Sequence, residues 1–147
     1  MPEFKNILVP IDGSANSKRA IAHAGYLAEK CGAKLSVLHV INTFAQVSAF
    51  SDANTGLYIP DRVVEDIQEA GQAVIDQALS LLPQDVEAQN FIEIGSPTEV
   101  IVNYCKKDHY DVIVMGSRGL GIIKELIMGS VSSAVVYYAP CPVLIVK

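Results

Sequence analysis

The chain has 147 residues, of which 50% are hydrophobic and 18% charged: enough to build one core without metal or disulfide support, and too apolar for a disordered acidic segment. A formal net charge of -5 argues against a surface that collects nucleic-acid phosphates. Cys31, Cys105 and Cys141 are odd in number, far apart and without the paired spacing of a zinc or thioredoxin-type site, so reduced thiols in a cytoplasmic protein are expected.

Met1 to Asn6 shows no basic region leading into a long apolar run, and no stretch reaches membrane-spanning length, so neither secretion nor a membrane is expected. Phe4 to Val9 reads as a strand stopped by Pro10. Asp12-Gly13-Ser14 is turn chemistry leading into a helix with apolar residues at Ala20, Ile21, Ala24, Leu27 and Ala28. Gly32 ends that helix, and Lys34 to Ile41 supplies a second apolar strand, completing a right-handed βαβ unit. Asn42 to Tyr58 is polar, small and aperiodic, and reads as a lid or a disordered excursion.

From Ile59 to Leu82, with Pro60 at an allowed helix start, apolar residues at Val63, Val64, Ile67, Ala70, Val74, Ala78 and Leu81 predict a long amphipathic helix that Pro83 ends. Val86 to Ile94 is a third strand. Gly95-Ser96-Pro97 then sets Ser96 as N-cap, Pro97 first in the next helix and Glu99 at its third position. Lys106 and Lys107 suit the negative end of that helix. Asp111 to Met115 is a fourth strand, followed by a loop to Gly129, a helix from Ser130 and a terminal strand from Pro142 to Lys147.

This alternation predicts an α/β fold: one doubly wound domain over residues 1–147, with a five-stranded parallel sheet in order 3-2-1-4-5 and helices on both faces. The switch point then falls between strands 1 and 4, where the loops Pro10 to Ser14 and Gly116 onward meet.

Gly116-Ser117-Arg118-Gly119, nine residues, then Gly129-Ser130 form the pattern G-x2-G-x9-G-S after the fourth strand. Glycines there can take positive φ and let backbone amides approach an anion. Ser130, Val131 and Ser132 would open a helix whose free amides and dipole favour phosphate, with hydroxyl donors from Ser130 and Ser132 and Ser130 also available as a cap. The competing reading is an ordinary loop in which the glycines only make turns. No G-x4-G-K-[ST] is present, and the glycines do not follow strand 1, so neither a Walker loop nor a dinucleotide fingerprint fits.

With ILVPIDGS, LSVLHVI, DVIVMGSRGLG, the spaced GS and CPVLIV, the whole chain resembles the UspA family of universal stress proteins, in its ATP-binding branch. The resemblance implies that Gly116, Gly119, Gly129 and Ser130 surround triphosphate and ribose, with Val131 and Ser132 adding contacts. It implies that Asp12 lies at the nucleoside near Pro10 and Ile11, that Val40 meets adenine through its backbone, and that Met115 lines the pocket. Arg118 sits between the loop glycines, either paired with phosphate or in solvent. Asp12 has a competing role as a cap of the first helix. Mg²⁺ would enter with the ligand, since no carboxylate cluster fixes it.

The pattern supplies a cradle without a group that singles out a transition state, so ATP hydrolysis is at most slow. His23, His39 and His109 have no nucleophile at recognisable spacing and read as structural, His39 being closest to the ligand edge. The expected function is a nucleotide-gated regulatory protein. A slow ATPase, and a chaperone-like module with ATP, AMP or cyclic AMP as a structural ligand, are the alternatives. The resemblance also implies a homodimer through the C-terminal strand, which would cover an otherwise bare edge.

Overall fold

A computed structural model describes residues 2–42, 60–119 and 128–147. The described elements run β1 (Asn6–Ile11), α1 (Ala15–Cys31), β2 (Lys34–Ile41), α2 (Asp61–Ser80), β3 (Ala88–Ile94), α3 (Pro97–Asp108), β4 (Val112–Gly116), α4 (Ser130–Tyr138) and β5 (Val143–Val146). All strand pairings are parallel and the order is β3-β2-β1-β4-β5, as the alternation of elements predicts. Most of the segment Asn42 to Tyr58, and most of the loop between Gly119 and Gly129, lie outside the described residues.

Side chains that alternate along each strand divide the interior into two clusters. Ile7, Val9, Ile11, Leu35, Val37, Val112 and Val114 face α1 and α2, meeting Ala20, Ile21, Ala24 and Ala28 from the first helix and Ile75 and Ala78 from the second. Leu8, Leu38, Ile113 and Met115 face α3 and α4, where Ile101, Cys105 and Val135 complete the packing. Small residues on α1 let it lie close to the central strands. Burying a side chain such as Ile21 or Leu38 stabilises the fold by about 1.5–3 kcal/mol.

Two local expectations are corrected. Pro10 does not stop the first strand: β1 continues to Ile11, and the β1–β4 pairs are Ile7 with Val112 and Leu8 with Ile113, so Pro10 lies past the ladder on that side. In α2 the buried residues are Gly71, Ile75 and Ala78, while Val64 and Ala70 are exposed. Contact is concentrated where the helix crosses the end of β2: a Cβ at Gly71 would lie 3.4 Å from both His39 Cδ2 and Ile41 Cδ1, in ordinary contact, so a small residue suits the crossing. Ser96 is the N-cap of α3, with Pro97 and Glu99 in the first turn, as expected, and its side chain makes no capping hydrogen bond.

At the amino edge of the sheet, Asp111 Oδ2 accepts hydrogen bonds from the Lys5 and Asn6 amides, both at 2.8 Å, and ties the start of β1 to that of β4. The opposite edge is left to the loops after β1 and β4. Among the described residues no helix is long and apolar enough to cross a membrane.

Candidate functional site

The loop after β1 is set by Asp12-Gly13-Ser14. Asp12 Oδ1 accepts from the Ser14 amide at 2.9 Å, and Gly13 sits at φ 83°, in the left-handed region that favours glycine. The N-cap of α1 is Ser14, whose Oγ accepts from the Ser17 amide at 3.2 Å. Asp12 therefore does not cap α1 itself. It builds the turn that presents Ser14, and keeps its other carboxylate oxygen directed at the loop after β4.

That loop approaches α1 and Asp12 very closely. A Cβ at Gly116 would stand 2.8 Å from Asn16 Cβ and 3.0 Å from the Asn16 carbonyl carbon, and one at Gly119 would overlap Asp12 Oδ2. Neither glycine has a positive φ, which among the described residues belongs to Gly13, Gly32 and Gly95 alone of the glycines. The expectation of positive-φ freedom is thus replaced by a steric reason: the backbone and Cβ of Asn16 leave no room for a side chain at Gly116, and one at Gly119 would have to displace the Asp12 carboxylate.

The start of α4 closes onto the same loop. The Gly129 amide donates to the Ser117 carbonyl at 2.7 Å, and Ser132 Oγ donates to that carbonyl at 2.7 Å, with the Gly129 carbonyl also in reach at 3.1 Å. Gly129, at φ -76° and ψ 169°, is the N-cap, so Ser130 is the first helical residue and not the cap. Intrahelical bonding begins with Ser133, whose amide donates to the Gly129 carbonyl at 3.0 Å. The amides of Ser130, Val131 and Ser132 are consequently without intrahelical acceptors, at the positive end of the helix dipole and with no side-chain cap.

Ser132 is 2% exposed. Its hydroxyl proton is already engaged with backbone, so it holds the loop to the helix and has only its amide left to offer a ligand. Ser130 is exposed. Arg118 is half-buried, with its Cα 3.5 Å from where a Gly129 Cβ would stand.

The remaining predicted residues lie along the same carboxyl edge. Ile11 is buried in the α1/α2 cluster, and its carbonyl accepts from His39 Nδ1 at 2.9 Å. This bond places the proton on Nδ1 and bridges the ends of β1 and β2. Pro10 is buried beside it in β1. Val40, Met115 and Val131 all pack into the α3/α4 cluster, and Met115 is 5% exposed, more core residue than pocket wall. The structure thus brings Asp12, Gly116, Gly119, Gly129 and the start of α4 together, and leaves Met115 almost wholly interior.

Sequence reasoning missed Asn16 and Ser117. Both are buried, at 6% and 2% exposure, and Asn16 Nδ2 donates to Ser117 Oγ at 3.3 Å. The Ser117 amide also donates to the Val146 carbonyl at 2.8 Å. Ser117 thereby links α1, β5 and α4 beneath the glycine loop. The one signal that pointed to it was its place between Gly116 and Gly119 in the glycine pattern, which marks the loop without distinguishing its individual residues.

A family model for the universal stress protein family matches residues 3–147. The chain is 34% identical over 150 residues to the universal stress protein YxiE of Bacillus subtilis, covering 98% of this chain and 99% of that protein. It is 36% identical over 146 residues to a universal stress protein of Thermus aquaticus encoded in a QAH/OAS sulfhydrylase 3' region, covering 98% and 99%. Among solved structures, the universal stress protein UspA of Lactobacillus plantarum aligns with TM-score 0.74 at 24% identity, covering 99% of each chain. A universal stress protein solved in complex with cAMP aligns with TM-score 0.66 at 23% identity, covering 99% of this chain and 98% of the other. One from Archaeoglobus fulgidus in complex with dAMP aligns with TM-score 0.68 at 21% identity over 100% of both. With a family match across nearly its whole length and relatives above 30% identity over 98% of it, the chain belongs to the universal stress protein family.

Proposed function

We propose that this chain is a cytoplasmic, nucleotide-gated regulatory protein that holds ATP at the carboxyl edge of β1 and β4. The observation that carries the reading is the pair Gly116 and Gly119, where a Cβ would meet Asn16 and Asp12, in the same loop whose Ser117 carbonyl anchors the amino end of α4. Loop and helix start together offer a phosphate a small-residue surface beside three unengaged amides, which is how protein backbone binds anions. The complexes of related folds with cAMP and with dAMP support adenine as the base.

In this reading Gly116, Gly119, Gly129 and Ser130 surround triphosphate and ribose, and the Val131 and Ser132 amides extend the contact. Arg118 pairs with phosphate. Asp12 lies at the nucleoside, with Pro10 and Ile11 behind it, and Val40 meets adenine through its backbone. Met115 supports that wall from the core. Among the described residues no group of three or more His, Cys, Asp or Glu side chains is placed to hold a metal, so Mg²⁺ arrives with the triphosphate.

The arrangement holds ground-state phosphate, and ATP turnover under excess nucleotide is expected to be slow or nil. Gating follows if the bound state presents a different surface to a protein partner. A homodimer through β5 completes the proposal: Leu144 on that edge strand is 44% exposed, and Tyr137 and Tyr138 precede it at 79% and 60%.

Calorimetric titration with ATP, ADP, AMP and cyclic AMP, with and without Mg²⁺, tests the site. Wild-type protein should bind ATP, and the double variant Gly129→Asp, Ser130→Asp should bind it at least about tenfold more weakly, since carboxylates at the helix start repel phosphate. Equal affinity in both proteins would place any nucleotide elsewhere.

A further inference from the structure

Cys105 and Cys141 are separated by 36 positions, yet their sulfurs lie 2.8 Å apart. Carbon atoms in contact pack at about 3.5–4.0 Å and an S–S bond measures about 2.05 Å, so this hydrogen-bonded pair is less than an ångström from bonded separation. Cys105 is buried in the last turns of α3, while Cys141 is half-buried in the turn between α4 and β5.

The contact is not left to a loose loop. On one side of Cys141 the Ala139 amide donates to the Val135 carbonyl at 2.9 Å, and on the other the Ile113 amide donates to the Pro142 carbonyl at 3.0 Å. Pro140 and Pro142 flank the residue and fix its backbone further. Cys105 belongs to the α3/α4 core cluster and Cys141 packs against it. The two thiols are hydrogen-bonded to each other, and two sulfurs held at this separation can be oxidised to each other.

We propose that Cys105 and Cys141 are a site of reversible oxidation, closing to an intramolecular disulfide when the protein meets hydrogen peroxide. Burial holds the Cys141 thiol above its ordinary range, so this more accessible sulfur attacks one peroxide oxygen only in the small fraction of molecules that carry it as thiolate, and closure quickens as pH rises. The O–O bond breaks, the departing hydroxide takes a proton to become water, and Cys141 becomes a sulfenic acid. Cys105 loses its proton and its sulfur attacks that of Cys141; the S–O bond breaks and a second water leaves. Two thiols and one peroxide thus give one disulfide and two waters, the sulfurs losing two electrons and the peroxide gaining them. The bond ties α3 to the corner before β5 and encloses in one covalent ring residues 105–141, from the last turn of α3 through β4 and the whole of α4.

The test uses the full chain carrying Cys31→Ser, which removes the exposed third thiol. Reduced protein is treated with hydrogen peroxide, unfolded in excess maleimide and weighed intact and as peptides. The expected product is about 2 Da lighter than reduced protein, takes up no maleimide, contains a linked Cys105–Cys141 peptide and regains both thiols on reduction. Its Tm should exceed that of the reduced form by about 5–10 °C. Recovery of two alkylated thiols, or of sulfinic and sulfonic acids without a linked peptide, would overturn the assignment.

Discussion

At the scale of single residues, Gly116 and Gly129 of the loop motif are predicted to behave differently on substitution. Gly116→Ala places a methyl group against Asn16 backbone and Cβ; the cost should be about 1–3 kcal/mol, read from urea denaturation midpoints. A Cβ at Gly129 would have its nearest neighbour at 3.5 Å, and the backbone there suits any L-residue, so Gly129→Ala should leave stability within about 0.5 kcal/mol. The serines divide in the same way. Ser132→Ala removes the hydroxyl that bonds the Ser117 and Gly129 carbonyls in a buried setting, costing about 1–2 kcal/mol, whereas exposed Ser130→Ala should cost little. Equal losses at Ser130 and Ser132 would contradict the division of roles.

At the scale of elements, the corner where α3, β4 and β5 meet carries a pH dependence. Desolvation, the hydrogen bond with Cys105, and the neighbouring Cys105 and Asp111 charges push the Cys141 thiol up to about 12, against a weak opposing pull from the Ile113 amide. Burial also raises Cys105, partly offset by its hydrogen bond with Cys141. A thiol whose folded pKa lies above its unfolded value near 9 contributes stability that is complete below pH 9 and is lost as pH rises towards 12. Denaturation midpoints should therefore fall through that alkaline window, and by less in Cys141→Ala than in wild type. An identical slope in the two would contradict the assignment.

Elements were the level most legible in the sequence. Apolar runs bounded by Gly32, Pro83 and Gly95 mark strands and helices because turn chemistry and burial act locally. The errors share one cause, which is that tertiary neighbours decide the detail. Whether Pro10 ends β1 depends on how far β4 pairs with it, and which stripe of α2 is buried depends on where Gly71 meets His39 and Ile41. The glycine pattern announced the loop, but the reason for Gly116 and Gly119 is contact with Asn16 and Asp12, residues about a hundred positions away and invisible to local spacing. Cys105 and Cys141 looked unrelated for the same reason.

For the whole molecule, a ligand that binds the folded state alone stabilises it by mass action. ATP at a hundredfold excess over its Kd should contribute about 2.7 kcal/mol and raise Tm by about 5–10 °C, with no comparable rise in the Gly129→Asp, Ser130→Asp variant. Assembly can be tested separately at the sheet edge, where Leu144→Lys should shift the sedimenting species from dimer to monomer while the circular dichroism spectrum is kept. An unchanged dimer would move the interface away from β5. Whether the loop after β4 and the start of α4 hold an adenine nucleotide is read from the nucleotide content of protein purified without added ligand, released by denaturation and separated by anion exchange. An adenine nucleotide should co-purify, its phosphate number read from its elution, and should be absent from the folded double variant; wild-type protein that is empty and also ignores millimolar ATP would rule the nucleotide site out.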